Sequence, residues 1–319
     1  MSFRTEINPQ EIQKPQVSID YASHIGLMGS CFVEHVGHRL KQHQFNTLLN
    51  PYGILFHPLA IEKALKDIQL QKQYEQKDLI HDQDLWHSPH HHSDFSHPQA
   101  EVVLQKIHQM MEQSHLFLQK ATHFILTLGT AWVYHHVESD QLVANCHKIP
   151  QKHFIKRLLS IAEISKSLQN SIQILHAFNP NMQIVLTVSP VRHLKDGMQN
   201  NALSKAHLLS AIHEVTDGVK VYYFPSFEIL MDDLRDYRFY NSDWLHPNET
   251  AVQYVWEVFQ STWMETHTQQ IMQKIAQLQR DLNHRPFHPD SDKHLKFLEH
   301  IEKQKRELKV QYGIDYPTE

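Results

Sequence analysis

Gly29-Ser30-Cys31-Phe32 follows the apolar run His24-Ile25-Gly26-Leu27-Met28 and opens an amphipathic stretch. A serine in that place can act as a nucleophile. Glycine before it tolerates a tight turn, and a helix after it gathers unpaired N–H groups and positive potential where an oxyanion is best stabilised. Far downstream stands Asp243-Trp244-Leu245-His246-Pro247. In such a turn the carboxylate can accept from one imidazole nitrogen while the other faces a serine, which is the logic of a hydrolytic triad. Each residue also has a plainer reading: Ser30 as the helix N-cap, Asp243 as a loop cap, His246 as a packing residue. Cys31 competes for the nucleophile role, because a thiolate at a helix N-terminus has a lowered pKa. Adjacent side chains point in different directions, so only one of Ser30 and Cys31 faces the cleft.

These residues need a scaffold that brings distant segments together. Short apolar or β-branched runs at Ser23–Met28, Phe45–Leu49, Phe124–Leu128, Ile184–Val188 and Val221–Phe224 alternate with helical patterns, predicting βαβ units and a parallel sheet. Phe32, Val33, Val36 and Leu40 form a 3.6-period stripe after the first run; Ile155, Leu158, Leu159 and Ala162 read as the start of another before the fourth. Ala251, Val252, Val255, Val258 and Phe259 share a face of the helix opened by the Leu245–Asn248 turn. Trp132–Val137 and Leu142–Asn145 read as an inserted hairpin. Ligands are expected beyond the carboxyl ends of the strands, where every motif singled out falls. From Thr266 the composition turns to Gln, Lys, Glu and His, which divides the chain into a domain over 1–265 and a helical extension of two helices over 266–319.

Composition excludes several classes. The formal charge of −5 comes with dispersed Lys and Arg and no basic stripe, so nucleic acid is not an expected partner. No apolar stretch is long enough to cross a bilayer and Met1–Gln16 lacks a signal-peptide core, which gives a cytoplasmic expectation. Cys31 and Cys146 make no disulfide framework. With 28 histidines in the chain, a single Asp-x-x-His carries little weight alone. The tract His87–His97 is histidine-rich, and clustered imidazoles do not by themselves close a coordination shell; it is read as a loop over the site, with no metal and no cofactor assigned. His193 follows the fourth strand and can face the cleft, but for any single one of the 28 histidines a generic surface position is the preferred reading. Arg235 and Arg238, set among Asp232, Asp233 and Asp236, read as a salt-bridged surface.

Several blocks occur together and in order: Met28-Gly29-Ser30-Cys31-Phe32-Val33-Glu34, Asn50-Pro51-Tyr52-Gly53-Ile54, Thr127-Leu128-Gly129-Thr130-Ala131-Trp132, Ser189-Pro190-Val191-Arg192, Leu234–Tyr240 and Asp243–Pro247. This set resembles the GSCFA family, which looks like a branch of the SGNH (GDSL-type) hydrolases. The resemblance implies a flavodoxin-like three-layer α/β/α sandwich of about five parallel strands. It also implies Ser30 as nucleophile, His246 as general base, Asp243 as its orienting acid and Gly53 as a backbone oxyanion donor. The SGNH pattern has Gly-x-Asn-Asp at the third block where this chain has Gly129-Thr130-Ala131-Trp132, so the usual asparagine donor is missing. Thr130 and Asn50 are the candidate substitutes. The activity implied is hydrolysis of a carboxylic ester, such as an acetyl ester of a small molecule, carbohydrate or lipid, through an acyl-serine. Acyl transfer by the same triad and a non-catalytic binding module are the alternatives.

Overall fold

The computed structural model describes residues 7–8, 11–138, 140–147, 149–285, 287–288, 290–314 and 316. β1 (His24–Gly29) leads through α1 (Cys31–Gln42) to β2 (Asn46–Leu49). Next come α2 (Pro58–Leu70), the hairpin strands β3 (Ile80–Asp82) and β4 (Leu85–His87), α3 (Ala100–Leu118) and β5 (His123–Leu128). A second excursion, β6 (Trp132–His136), β7 (Gln141–Val143) and β8 (Phe154–Leu158), precedes α4 (Ile161–Phe178), β9 (Gln183–Val188), α5 (Met198–Val215) and β10 (Val221–Tyr223). The short α6 (Ser226–Glu228) is followed by α7 (Glu249–Trp263), α8 (Thr266–Leu282) and α9 (Asp292–Tyr312).

Five strands pair in parallel in the order β10-β9-β5-β1-β2. Counted along the chain this is the 2-1-3-4-5 order of a flavodoxin-like sheet, whose switch point lies between β1 and β5. The strand period of two sorts the core. Phe124, Leu126 and Leu128 join the apolar cluster that holds Ile61 and Leu65 of α2, Val103 and Ile107 of α3, Leu168 of α4 and Leu208 of α5. Ile25, Leu27 and Ile125 face the other layer, with Phe32, Val33, Val36 and Leu40 of α1 and Ala251, Val255 and Phe259 of α7. The result is a three-layer α/β/α sandwich. Because α1 and α7 share one layer, Ser30 at the head of α1 and the Asp243–His246 turn ahead of α7 lie on the same side of the sheet.

One sequence expectation is corrected. Ile155 and Leu158 do not begin a helix: Phe154–Leu158 is a strand paired antiparallel with β6, and with β7 it makes the inserted hairpin a three-stranded sheet. The helix starts at Ile161, where a capping box between Ser160 and Glu163 fixes its first turn. At the other end of the chain, α8 and α9 pack through Ile271, Ile275, Leu278, Ile301 and Leu308. Among the described residues no helix is long and apolar enough to cross a membrane.

Candidate active site

Ser30 sits where β1 ends, and the strand end is held from two sides. The Gly29 N–H donates to Asn50 Oδ1 at 2.9 Å, and the Ser30 N–H donates to Thr127 O at 3.0 Å. Gly29 has φ +145°, and a Cβ there would stand 2.1 Å from Thr127 O, so the position admits only glycine. Ser30 has extended backbone and occupies the N-cap position of α1, yet its hydroxyl makes no capping bond. The side chain is fully buried, and Oγ has no hydrogen-bond partner among the described residues. Buried hydroxyls are normally bonded, so this one is held by the fold without a structural bond to satisfy it. Behind it lies Gly129, where a Cβ would come within 3.2 Å of both Ser30 Cβ and the Phe56 ring.

Asp243 and His246 form a pair. Asp243 Oδ2 lies 2.6 Å from His246 Nδ1, while Oδ1 accepts the N–H groups of Leu245 at 2.9 Å and His246 at 3.0 Å. Trp244 takes φ +60° inside this turn. The Asn241 N–H closes the loop onto His246 O at 2.8 Å, and a β-bridge joins Tyr240 to Pro247. The Arg192 guanidinium lies 4.5 Å over the Tyr240 ring, joining the segment after β9 to this loop. The backbone N–H groups of His246 and Leu245, then the His246 ring, hold the Asp243 carboxyl down to about 2. An ionised carboxylate only accepts, so His246 carries its proton on Nδ1 and presents Nε2 as the basic nitrogen. The pair is half-exposed, and no hydrogen bond joins it to Ser30 Oγ. Asp243 and His246 are joined to each other, and Ser30 stands apart from them.

The residues expected to complete an oxyanion hole are engaged elsewhere. The Gly53 N–H donates to Asn50 O at 2.7 Å, closing a turn with Gly53 at φ +71°. A Cβ on Gly53 would meet His92 Cβ at 2.2 Å, so this glycine serves a turn and a close approach, in place of the expected free donor. Asn50, at φ +43°, accepts from Gly29 and donates through Nδ2 to Glu34 Oε1 at 3.4 Å. Thr130 Oγ1 accepts the Trp132 N–H and bonds Ser204 Oγ, each at 3.1 Å, while its N–H and that of Gly129 donate to Phe56 O. All three hold loops in register around Ser30.

Cys31 is half-buried, and burial followed by Glu34 raises its thiol, so it stays protonated. The tract His87–His97 packs against the Asn50–Gly53 turn: His91 stacks on Tyr52 at 4.1 Å and bonds Ser88 Oγ at 2.7 Å. Among the described residues no group of three or more His, Cys, Asp or Glu is arranged to hold a metal ion. His193 does turn inward. Its Nε2 is buried without a partner among the described residues and its ring meets Phe56 edge-on at 5.6 Å; burial, then Lys205, pushes it down to about 4.

Sequence reading missed Lys205, whose buried ammonium donates to Gly129 O at 2.7 Å and Ser189 O at 2.6 Å. The signal was present: Lys205 falls on the stripe of α5 that buries Leu208, Ala211 and Ile212. A lysine on an apolar stripe marks a buried charge that needs explaining.

Two solved structures resemble the fold at low similarity. One is a Streptococcus pneumonia protein provisionally described as a platelet activating factor, at 12% identity and TM-score 0.38, covering 75% of this chain and 83% of that one. The other is a carbohydrate esterase family 3 protein from Talaromyces cellulolyticus, at 10% identity and TM-score 0.35, covering 80% and 99%. No curated protein matches the sequence. Residues 275–316 match the profile described as "GSCFA domain protein, C-terminal domain". Residues 24–259, most of the chain, match the GSCFA family profile, and the protein belongs to the GSCFA family.

Proposed function

We propose that this protein is a serine hydrolase of the SGNH type that cleaves a carboxylic ester, with Ser30 as nucleophile, His246 as general base and Asp243 as the acid that orients it. The observation that carries this reading is the Ser30 hydroxyl: buried, without a hydrogen-bond partner among the described residues, and standing at the head of α1 without capping it. The Asp243–His246 pair, on the same side of the sheet, fixes the tautomer a base needs. Catalytic hydrogen bonds are often long or unformed without substrate, so the gap between Ser30 and His246 is compatible with the role.

In the reaction, His246 Nε2 takes the Ser30 proton as Oγ bonds the acyl carbon. The alcohol leaves with that proton, and the acyl-serine remains. Water, deprotonated by the same nitrogen, then releases the carboxylic acid and restores the serine. The N-terminus of α1 places positive potential beside the developing oxyanion. A small acyl group such as acetyl, carried by a carbohydrate, lipid or other alcohol, is the proposed substrate class. Residues 1–265 would form the hydrolase unit and 266–319 a helical extension, in a cytoplasmic protein.

A second reading, a binding module that keeps the fold, draws on one observation: Gly53, Asn50 and Thr130 already have partners. Fluorophosphonate labelling decides between them. The hydrolase labels at Ser30 and cleaves p-nitrophenyl acetate, both abolished by Ser30→Ala; a folded protein that does neither is a binding module.

A further inference from the structure

Among the described residues Lys205 is the only buried lysine or arginine, 2% exposed. Its partners are two neutral carbonyls, Gly129 O and Ser189 O, which directly follow β5 and β9. No carboxylate pairs with it among the described residues, and an ammonium removed from water without a counter-ion is costly. Two of its three N–H groups are engaged. Gly129, which it holds, is the residue packed behind Ser30, where even a methyl group would press on the serine.

We propose that Lys205 is a positioning residue of the candidate site: its ammonium clamps the ends of β5 and β9 behind Ser30, and its charge is the counterpart of the negative charge that forms on the acyl oxygen bound there. This rests on the serine-hydrolase reading above. It also accounts for a site in which the asparagine donor is missing and the backbone candidates are occupied. A buried cation needs no contact with the oxyanion to favour it, because charges interact strongly in a water-poor interior.

The groups facing Lys205 are few. Cys31 of α1 is nearest in effect, with its thiol held protonated by burial and Glu34. His193, in the segment after β9, feels Lys205 together with Asp196 and His246, and is neutral well above about pH 4. Burial pushes the Lys205 ammonium down to about 7. The proton is therefore held below that pH and lost above it.

The test measures fluorophosphonate labelling rates at Ser30 from pH 6 to 9 in the full-length wild-type protein and in Lys205→Met, with thermal melts to check folding. The wild-type rate is expected to fall above about pH 7. Lys205→Met should label about 10²-fold more slowly at pH 6.5 and lose the alkaline fall, a change that loosened packing alone would not produce. A wild-type rate that stays level or rises to pH 9 overturns the proposal even if the variant does not fold. Labelling of Lys205→Met at the wild-type rate, with the same profile, overturns it and leaves the hydrolase reading standing. A wild-type protein that never labels removes the hydrolase reading itself.

Discussion

Asp243 holds His246 at two points, its Oδ2 on the ring nitrogen Nδ1 at 2.6 Å and its Oδ1 on the backbone N–H at 3.0 Å. One carboxylate thus shapes the turn and orients the ring. Asp243→Asn keeps a side-chain acceptor for the turn but can donate to Nδ1, favouring the wrong tautomer. We expect ester hydrolysis to fall on the order of 10⁴-fold in kcat with KM little changed, measured on p-nitrophenyl acetate. An Asp243→Asn enzyme within threefold of wild type would remove Asp243 from the mechanism.

Asn50 is expected to act on stability as much as on activity. Asn50→Ala leaves the Gly29 N–H without its acceptor and puts alanine at φ +43°. The loss should be about 1–3 kcal/mol in urea unfolding, the cost of an orphaned buried donor. Asn50→Asp keeps an acceptor for Gly29 but sets a carboxylate against Glu34, so it should not restore full stability near neutral pH. Equal stability of the alanine variant and wild type would show that the Gly29 contact contributes nothing.

Gly53 joins two segments that sequence analysis treated separately. With φ +71° and no room before His92 Cβ, Gly53→Ala must shift the His87–His97 tract or open the Asn50 turn. We expect a loss of about 1–3 kcal/mol, the usual cost of a strained backbone position, with faster proteolysis of that tract. Gly197→Ala, also at positive φ but with open space around it, is the control that carries backbone strain without the clash.

His57 gives the molecule an acid-sensitive joint. Its Nδ1 accepts the Ala60 N–H at 3.1 Å, capping α2, while Nε2 donates to Val143 O at 3.2 Å, so the fold uses the neutral ring. Burial pushes it down to about 4, and His193 and His147 are likewise near 4. Between that value and the ordinary imidazole pKa of about 6.5, the unfolded chain binds more protons than the folded one. Their stabilisation is present above about pH 6.5 and is lost progressively as pH falls toward 4. The melting temperature should therefore drop between pH 7 and pH 5, and less steeply in His57→Asn, which can cap α2 without titrating. Melts that superimpose from pH 7 to 5 would contradict this.

Features that repeat locally along the chain could be read without a structure. The stripe Phe32, Val33, Val36, Leu40 and the runs at Phe124–Leu128 and Ile184–Val188 declare their period through neighbouring residues, so the βαβ units and parallel sheet followed from them, while the three-layer sandwich was what the family resemblance implied. The turn partners Asp243 and His246 were legible because three residues of chain bring them together. Phe154–Leu158 was misread because a five-residue apolar pattern suits either period, and only its pairing with β6 selected the strand. Contacts between distant segments were hidden for the same reason. Whether the Gly53 N–H is free depends on how the Asn50 turn closes, and the partners of Lys205 depend on where two strands end. A side chain's chemistry is inherent in its type and its local period, whereas its hydrogen-bond partners are set by segments far away in the chain.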